Sequence, residues 1–173
     1  MKKLFALIAL GLTSQVHAQI VVGVTASTTG PGVSLGKPIA NAVAILPKTL
    51  GRQQVRYILL DDASDPSVGS KAARKLAVED KADVIIGSSS VPVAMAQAAV
   101  AGEERVPFIA ISPMSVDATK QPYVFAIPQP IPLMVDALVE HMNANKVKNV
   151  GFIGFADAWG DLTYNSMRDG GAA

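Results

Sequence analysis

Four short segments carry the side chains of this chain that could do chemistry: Thr29-Gly30-Pro31-Gly32, Asp61-Asp62, Ser88-Ser89-Ser90 and Ser112-Pro113. The triple serine follows Gly87 and opens a stretch with helical character. At a helix start the unpaired backbone N–H groups and the macrodipole favour an anion. A serine there either donates to a carboxylate or caps the helix, and the residues leave both roles open. A nucleophilic serine on such a turn would sit in Gly-x-Ser-x-Gly, and Gly87-Ser88-Ser89-Ser90-Val91 lacks the second glycine. His141 is the one histidine after residue 18; beside Glu140 on a polar helix face it reads as solvated, which argues against a triad. Asp61-Asp62 has the look of a metal or phosphoacceptor pair, but no acidic and lysine partners fall at neighbouring strand ends. Turn and capping duty is therefore the expected role. No His, Cys, Asp or Glu grouping has metal-ligand spacing, so neither metal nor cofactor is expected. The Gly30-Pro31-Gly32 turn has neither the Gly-Lys-Ser/Thr ending of a phosphate loop nor dinucleotide glycine spacing. Trp159, the sole tryptophan, stands at a strand-to-helix turn, where it either packs or forms a platform over a small ligand.

The elements that must position these residues alternate along the chain. Residues 20–26 form a near-continuous apolar run, as in a strand buried on both faces. Residues 34–46 carry Ile39, Ala42, Val43 and Leu46 at helical spacing. A second strand is expected at 55–60, and Asp65-Pro66 then supplies a cap and a first-turn proline for a helix reaching about residue 80. Further strands are expected at 84–86, 108–111 and 123–127, with a helix between the first two ending near Gly102. This alternation predicts a doubly wound, mainly parallel α/β sheet with helices on both faces. In such a sheet the four segments fall on one rim, at the C-terminal ends of the strands, where ligands bind. Gln129-Pro130-Ile131-Pro132 marks a boundary. Beyond it a helix striped by Ile131, Val135, Leu138 and Met142 is expected, then a strand at 149–155 and the start of another helix. The organisation reads as a leader over 1–18, an α/β unit over 19–128, and an unfinished second unit over 129–173.

The leader has a charged start at Lys2 and Lys3, an apolar run over 4–12, and a small residue at Ala18, the order of a secretory signal peptide. The run is too short to span a bilayer. Export to the periplasm follows, with a mature chain beginning at Gln19. The absence of cysteine rules out both disulfides and lipid attachment at the signal. A net charge of +1 over 173 residues leaves no broad field for nucleic acid or an anionic membrane.

In the order IVVGVTASTTGPGVSLGKP, VRYILLDDASDP, ADVIIGSSS, VPFIAISP and VGFIGFADAWGD, the chain resembles the type I periplasmic substrate-binding proteins of ABC transporters, in the Leu/Ile/Val-binding branch. The resemblance covers the whole chain after the leader. It implies two doubly wound lobes closing on a ligand, no catalytic activity, and delivery to an ABC permease in the inner membrane by a monomer. It also implies site roles. Leu35 falls where relatives place an aromatic beside the ligand, and Ser89 or Ser90 where a hydroxyl binds the ligand carboxylate. Ser112, Met114 and Ser115 compete for one contact, because an extra apolar residue in 108–111 blurs the register. Trp159 falls where relatives have a tyrosine that covers the ligand from the second lobe. The implied ligand is a small carboxylate-bearing molecule, either a branched-chain amino acid or an aromatic or aliphatic acid. The chain is about half the family length and is expected to be a truncated product that binds poorly alone. An exported sensing module of the same fold and an exported α/β hydrolase are the competing classes.

Overall fold

The computed structural model describes residues 19–171. The expected leader lies outside them. Six strands form one sheet in the order β2-β3-β1-β4-β5-β6. The central strand, β1 (Ile20–Ala26), is flanked in parallel by β3 (Gln53–Asp61) and β4 (Val84–Gly87). The continuous apolar run of β1 is explained by this position, since it is covered on both faces. β5 (Phe108–Ala110) and β6 (Val124–Ala126) extend the sheet in parallel on the β4 side. The two-residue β2 (Thr49–Leu50) pairs antiparallel with the start of β3, and Gly51, at φ +58°, makes the turn between them.

The connections are α1 (Val33–Ile45) between β1 and β2, α2 (Pro66–Arg74) between β3 and β4, and α3 (Val91–Glu104) between β4 and β5. Asp65 caps α2, its carboxyl accepting from Ser67 N and Val68 N, with Pro66 in the first turn. Past α2 the helix widens into a π turn over Lys75–Glu79. Right-handed crossovers that run one way from β1 to β3, and the other way from β3 to β4 and on to β5, put α1 on one face and α2 and α3 on the other. The core lies on the two-helix face. There Val21, Ile85, Phe108 and Val124 meet Ala73, Leu76, Ala94 and Ala98. α2 and α3 pack against each other so tightly that a Cβ on Gly69 would stand 2.4 Å from Val93 Cγ1. Beneath them Gln97 is fully buried, accepting from Thr25 Oγ1 and donating to Gly69 O.

The α1 face is thinly covered. Gly36 is the one buried residue of that helix, and Ile45 is 85% exposed. The expected stripe of Ile39, Ala42, Val43 and Leu46 therefore fails as a buried face: Ile39 and Val43 are half-buried, Ala42 and Leu46 exposed. Along the same face of the sheet, Phe125 is 55% exposed.

Beyond the proline boundary, α4 (Ile131–Ala144) and α5 (Ala158–Gly171) pack against each other, and α5 also touches α3. In α4 the stripe is half realised, with Ile131 and Val135 buried and Leu138 exposed. The strand expected at 149–155 is not formed. Its composition suits a buried strand, but it pairs with none of the six described strands, and Ile153 is completely exposed. No helix of the described residues is long and apolar enough to cross a membrane.

Candidate functional site

Parallel pairing brings the ends of four strands to one rim. Ala26 stands beside Asp61, and Gly87 beside Ala110. Ile111 N continues the ladder by donating to Gly87 O at 3.2 Å. The segments that follow, at 27–32, 62–65, 88–90 and 111–115, are thereby held side by side.

Asp61 organises the Thr-Gly-Pro-Gly turn. Its Oδ1 accepts from Thr28 N at 2.9 Å, Thr29 N at 3.2 Å and Ala63 N at 2.9 Å, while Oδ2 accepts from the Thr29 hydroxyl at 2.5 Å. Burial works against the charged carboxylate. The Thr29 hydroxyl and the N–H groups of Ala63 and Thr29 outweigh it and lower the pKa from 3.8 to about 2. Ser64 closes the loop pair from the other side, its Oγ accepting from Gly32 N and donating to Thr29 O. Gly30 is required here: its φ is +78°, and a Cβ would lie 2.2 Å from Ala63 O.

Asp62 turns the opposite way and is completely buried. Oδ1 accepts from Ser27 Oγ at 2.6 Å and from Ser64 N at 3.0 Å, and Oδ2 accepts from Ser88 Oγ at 2.5 Å. Ser27 and Ser88 are also fully buried. One carboxyl thus ties together the ends of β1, β3 and β4. Ser88 Oγ in turn accepts from Ser90 N at 3.2 Å. The expected turn-and-cap duty of the aspartate pair is met in a broader form, because most of these partners lie 26 to 35 residues away.

The two remaining hydroxyls of interest have no such partners. Ser89 Oγ and Ser112 Oγ are buried atoms with no hydrogen bond among the described residues. Ser89 is two residues past Gly87 on β4, and Ser112 is two past Ala110 on the adjacent β5, so they occupy corresponding places on neighbouring strands. Ser90 is the N-cap residue of α3 by position, yet its side chain makes no cap hydrogen bond. The capping role left open for these serines is therefore not taken by the Ser90 side chain. A pair of free hydroxyls beside a helix N-terminus is suited to donate to a carboxylate.

The other candidates are dispersed. Met114 is buried within the hydrophobic core and Ser115 is exposed. Leu35 lies in the first turn of α1, 60% exposed, with its N–H on Gly32 O. His141 is exposed on α4, and its hydrogen-bond partner among the described residues is Asn145. The catalytic reading of the serines gains nothing, since Ser88 is bonded to a carboxyl rather than an imidazole. Trp159 opens α5, where Asp157 Oδ1 accepts from Trp159 N and Gly160 N. It lines a separate cavity of about 330 Å³ together with residues 152–155, Gly160 and Thr163, to which no rim serine contributes. Sequence reasoning passed over Ser27 and treated Ser88 only as one of three serines; their strand-end positions were the available signal.

The periplasmic binding protein family model matches residues 19–173. An extracellular ligand-binding receptor from Rhodopseudomonas palustris HaA2 superposes with a TM-score of 0.85 at 42% identity, over 90% of this chain and 43% of that one. A solute-binding protein of an ABC transporter from Rhodopseudomonas palustris BisB5, solved with 3,4-dihydroxybenzoic acid, gives 0.81 at 26% identity, over 89% and 44%. A leucine-binding protein from Thermotoga maritima shares the fold, at 0.78 and 19% identity, over 88% and 45%. The chain thus spans less than half the length of these relatives. None of the curated proteins compared with it matches.

Proposed function

Because the chain belongs to the periplasmic binding protein family, we propose that it is the ligand-binding first lobe, with the opening of the second, of a solute-binding component of an ABC importer. It is exported by residues 1–18, works in the periplasm as a monomer, and passes its ligand to a permease in the inner membrane. It has no catalytic activity. Residues 19–128 are the first lobe and 129–173 belong to the second. The ligand is a small carboxylate-bearing molecule, an aromatic or aliphatic acid or a branched-chain amino acid. The dihydroxybenzoate of the 26%-identical relative supports the aromatic acid.

One observation carries this reading: Ser89 and Ser112 present buried, unpartnered hydroxyls at corresponding positions on adjacent strand ends. Leaving a buried hydroxyl unpaired costs about 1–3 kcal/mol, so two of them on one rim call for an acceptor from outside the chain. Ser89 and Ser112 are the carboxylate donors, with Ser90 and the start of α3 beside them. Ser112 takes the contact for which Met114 and Ser115 also competed, because Met114 packs inward and Ser115 faces solvent. Leu35 forms a side wall, and Trp159 is the cover brought by closure of the second lobe.

The test is an NMR titration of the purified chain with 3,4-dihydroxybenzoate and, separately, leucine. Saturable shifts of the Ser89, Ser90, Val91 and Ser112 amides are expected for at least one of them. Shifts scattered over the surface, or none at millimolar ligand, would overturn the proposal.

A further inference from the structure

We infer that Asp62 is the positioning residue of this carboxylate site, acting through Ser88 to decide which serine of the turn meets the ligand. The inference rests on the site reading above and deepens it. Three consecutive serines present three chemically equal hydroxyls at one strand end. Asp62 removes the first from competition by accepting the hydrogen bond that the Ser88 hydroxyl donates, at 2.5 Å. Ser88 Oγ is left with lone pairs, and one of these accepts Ser90 N. The peptide between Ser89 and Ser90 is thereby fixed from a fully buried anchor. Of the two serines that lead into α3, Ser89 is left with the buried and unpartnered hydroxyl. Asp62 never touches the ligand in this arrangement.

The same carboxyl accepts Ser27 Oγ and Ser64 N, so the serine turn is set in one frame with the loops after β1 and β3. Without an acceptor at Oδ2, Ser88 is free to rotate its proton toward the rim. The turn then offers two interchangeable donors in place of one fixed one, and the Ser90 amide loses its acceptor.

The experiment compares the full chain with Asp62→Asn, Ser88→Ala and the double variant, by two measurements. The first needs no ligand: the amide exchange rate and proton shift of Ser90. Both single variants should speed exchange at Ser90 by about tenfold, the worth of one hydrogen bond, and move its proton resonance upfield. The second is the dissociation constant for 3,4-dihydroxybenzoate. It should rise about tenfold in either single variant and no further in the double variant, because both act on one linkage. An unchanged Ser90 amide in Ser88→Ala overturns the inference, even if Asp62→Asn fails to fold. So does a double variant whose losses multiply, or a lowered unfolding midpoint with exchange and affinity both intact. Should the unaltered chain not bind the acid or leucine, the site reading falls, and the Ser90 measurement alone still decides whether Asp62 sets the turn.

Discussion

Replacing Gly36 by alanine should lift α1 off the sheet. A Cβ built on Gly36 would stand 2.1 Å from Ser27 O, 2.3 Å from its carbonyl carbon and 2.8 Å from its nitrogen. Ordinary contact begins near 3.5 Å, so the helix must retreat by more than about 1 Å. The obstacle is main chain and cannot swing aside as a side chain would. Its segment is also tethered, since Thr28 N is held by Asp61 and Ser27 Oγ by Asp62. Two effects oppose each other. Alanine favours the helix by up to about 1 kcal/mol over glycine, whereas overpacking costs about 1–3 kcal/mol. The size of the overlap puts the second term near its upper end, for a net loss of about 1–2 kcal/mol. The loss stops there because α1 buries little else and can detach without opening the two-helix core. Gly102 is the matched control, a glycine within α3 whose Cβ would meet nothing within 4 Å. Gly102→Ala should stabilise by up to about 1 kcal/mol. Urea unfolding followed by far-ultraviolet circular dichroism measures both. If Gly36→Ala is neutral or stabilising like its control, α1 does not sit on Ser27 and the positioning of Leu35 beside the rim is wrong.

Three further outcomes are expected. Asp61 has a folded-state pKa of about 2 against an ordinary 3.8, so its contribution is complete above about pH 4 and is lost as pH falls toward 2. The stability gap between the unaltered chain and Asp61→Asn should shrink across that window. The shift sets a ceiling of roughly 2.5 kcal/mol, and partial exposure of the rim brings it to about 1 kcal/mol; a gap constant from pH 6 to 2 contradicts the assignment. Ser112→Ala removes a buried hydroxyl without a partner, so thermal unfolding should show equal stability or a gain of up to about 1 kcal/mol. A loss above 1 kcal/mol would mean that the hydroxyl is bonded in the folded chain. Phe108→Ala empties the largest fully buried side chain among the described residues and should cost about 3–5 kcal/mol in urea unfolding, with a loss below 1 kcal/mol placing the core elsewhere.

Local pattern revealed whatever local physics decides. The continuous apolar run of β1, the Asp65-Pro66 cap of α2 and the strand ends that gather the rim were all readable, because each depends on a few adjacent residues. A strand that does not form and a helix that forms with little of its stripe buried share one cause. Residues 149–155 have the composition of a strand, and 34–46 the stripe of a buried helix, but a strand needs a neighbour and a stripe needs a surface to cover it. Neither is written in the segment itself. The same limit applied to the site. Asp62 meets Ser27 and Ser88 across 35 and 26 residues, and nothing near Asp62 in the chain announces either partner. Packing, which draws Met114 into the core and leaves Ser115 exposed, is likewise not written in the 112–115 segment itself.

The place of β1 at the centre of the sheet also governs how the chain can fold. β1 is the first of the described strands along the chain, and both its neighbours come later. Its first ladder, to β3, begins at Val55, and its second, to β4, at Val84. The hydrogen bond from Val21 N to Asp83 Oδ2 closes a span of 62 residues. Pairing a central strand with partners so far along the chain costs more loop-closure entropy than forming any one helix, and contacts of this range slow folding.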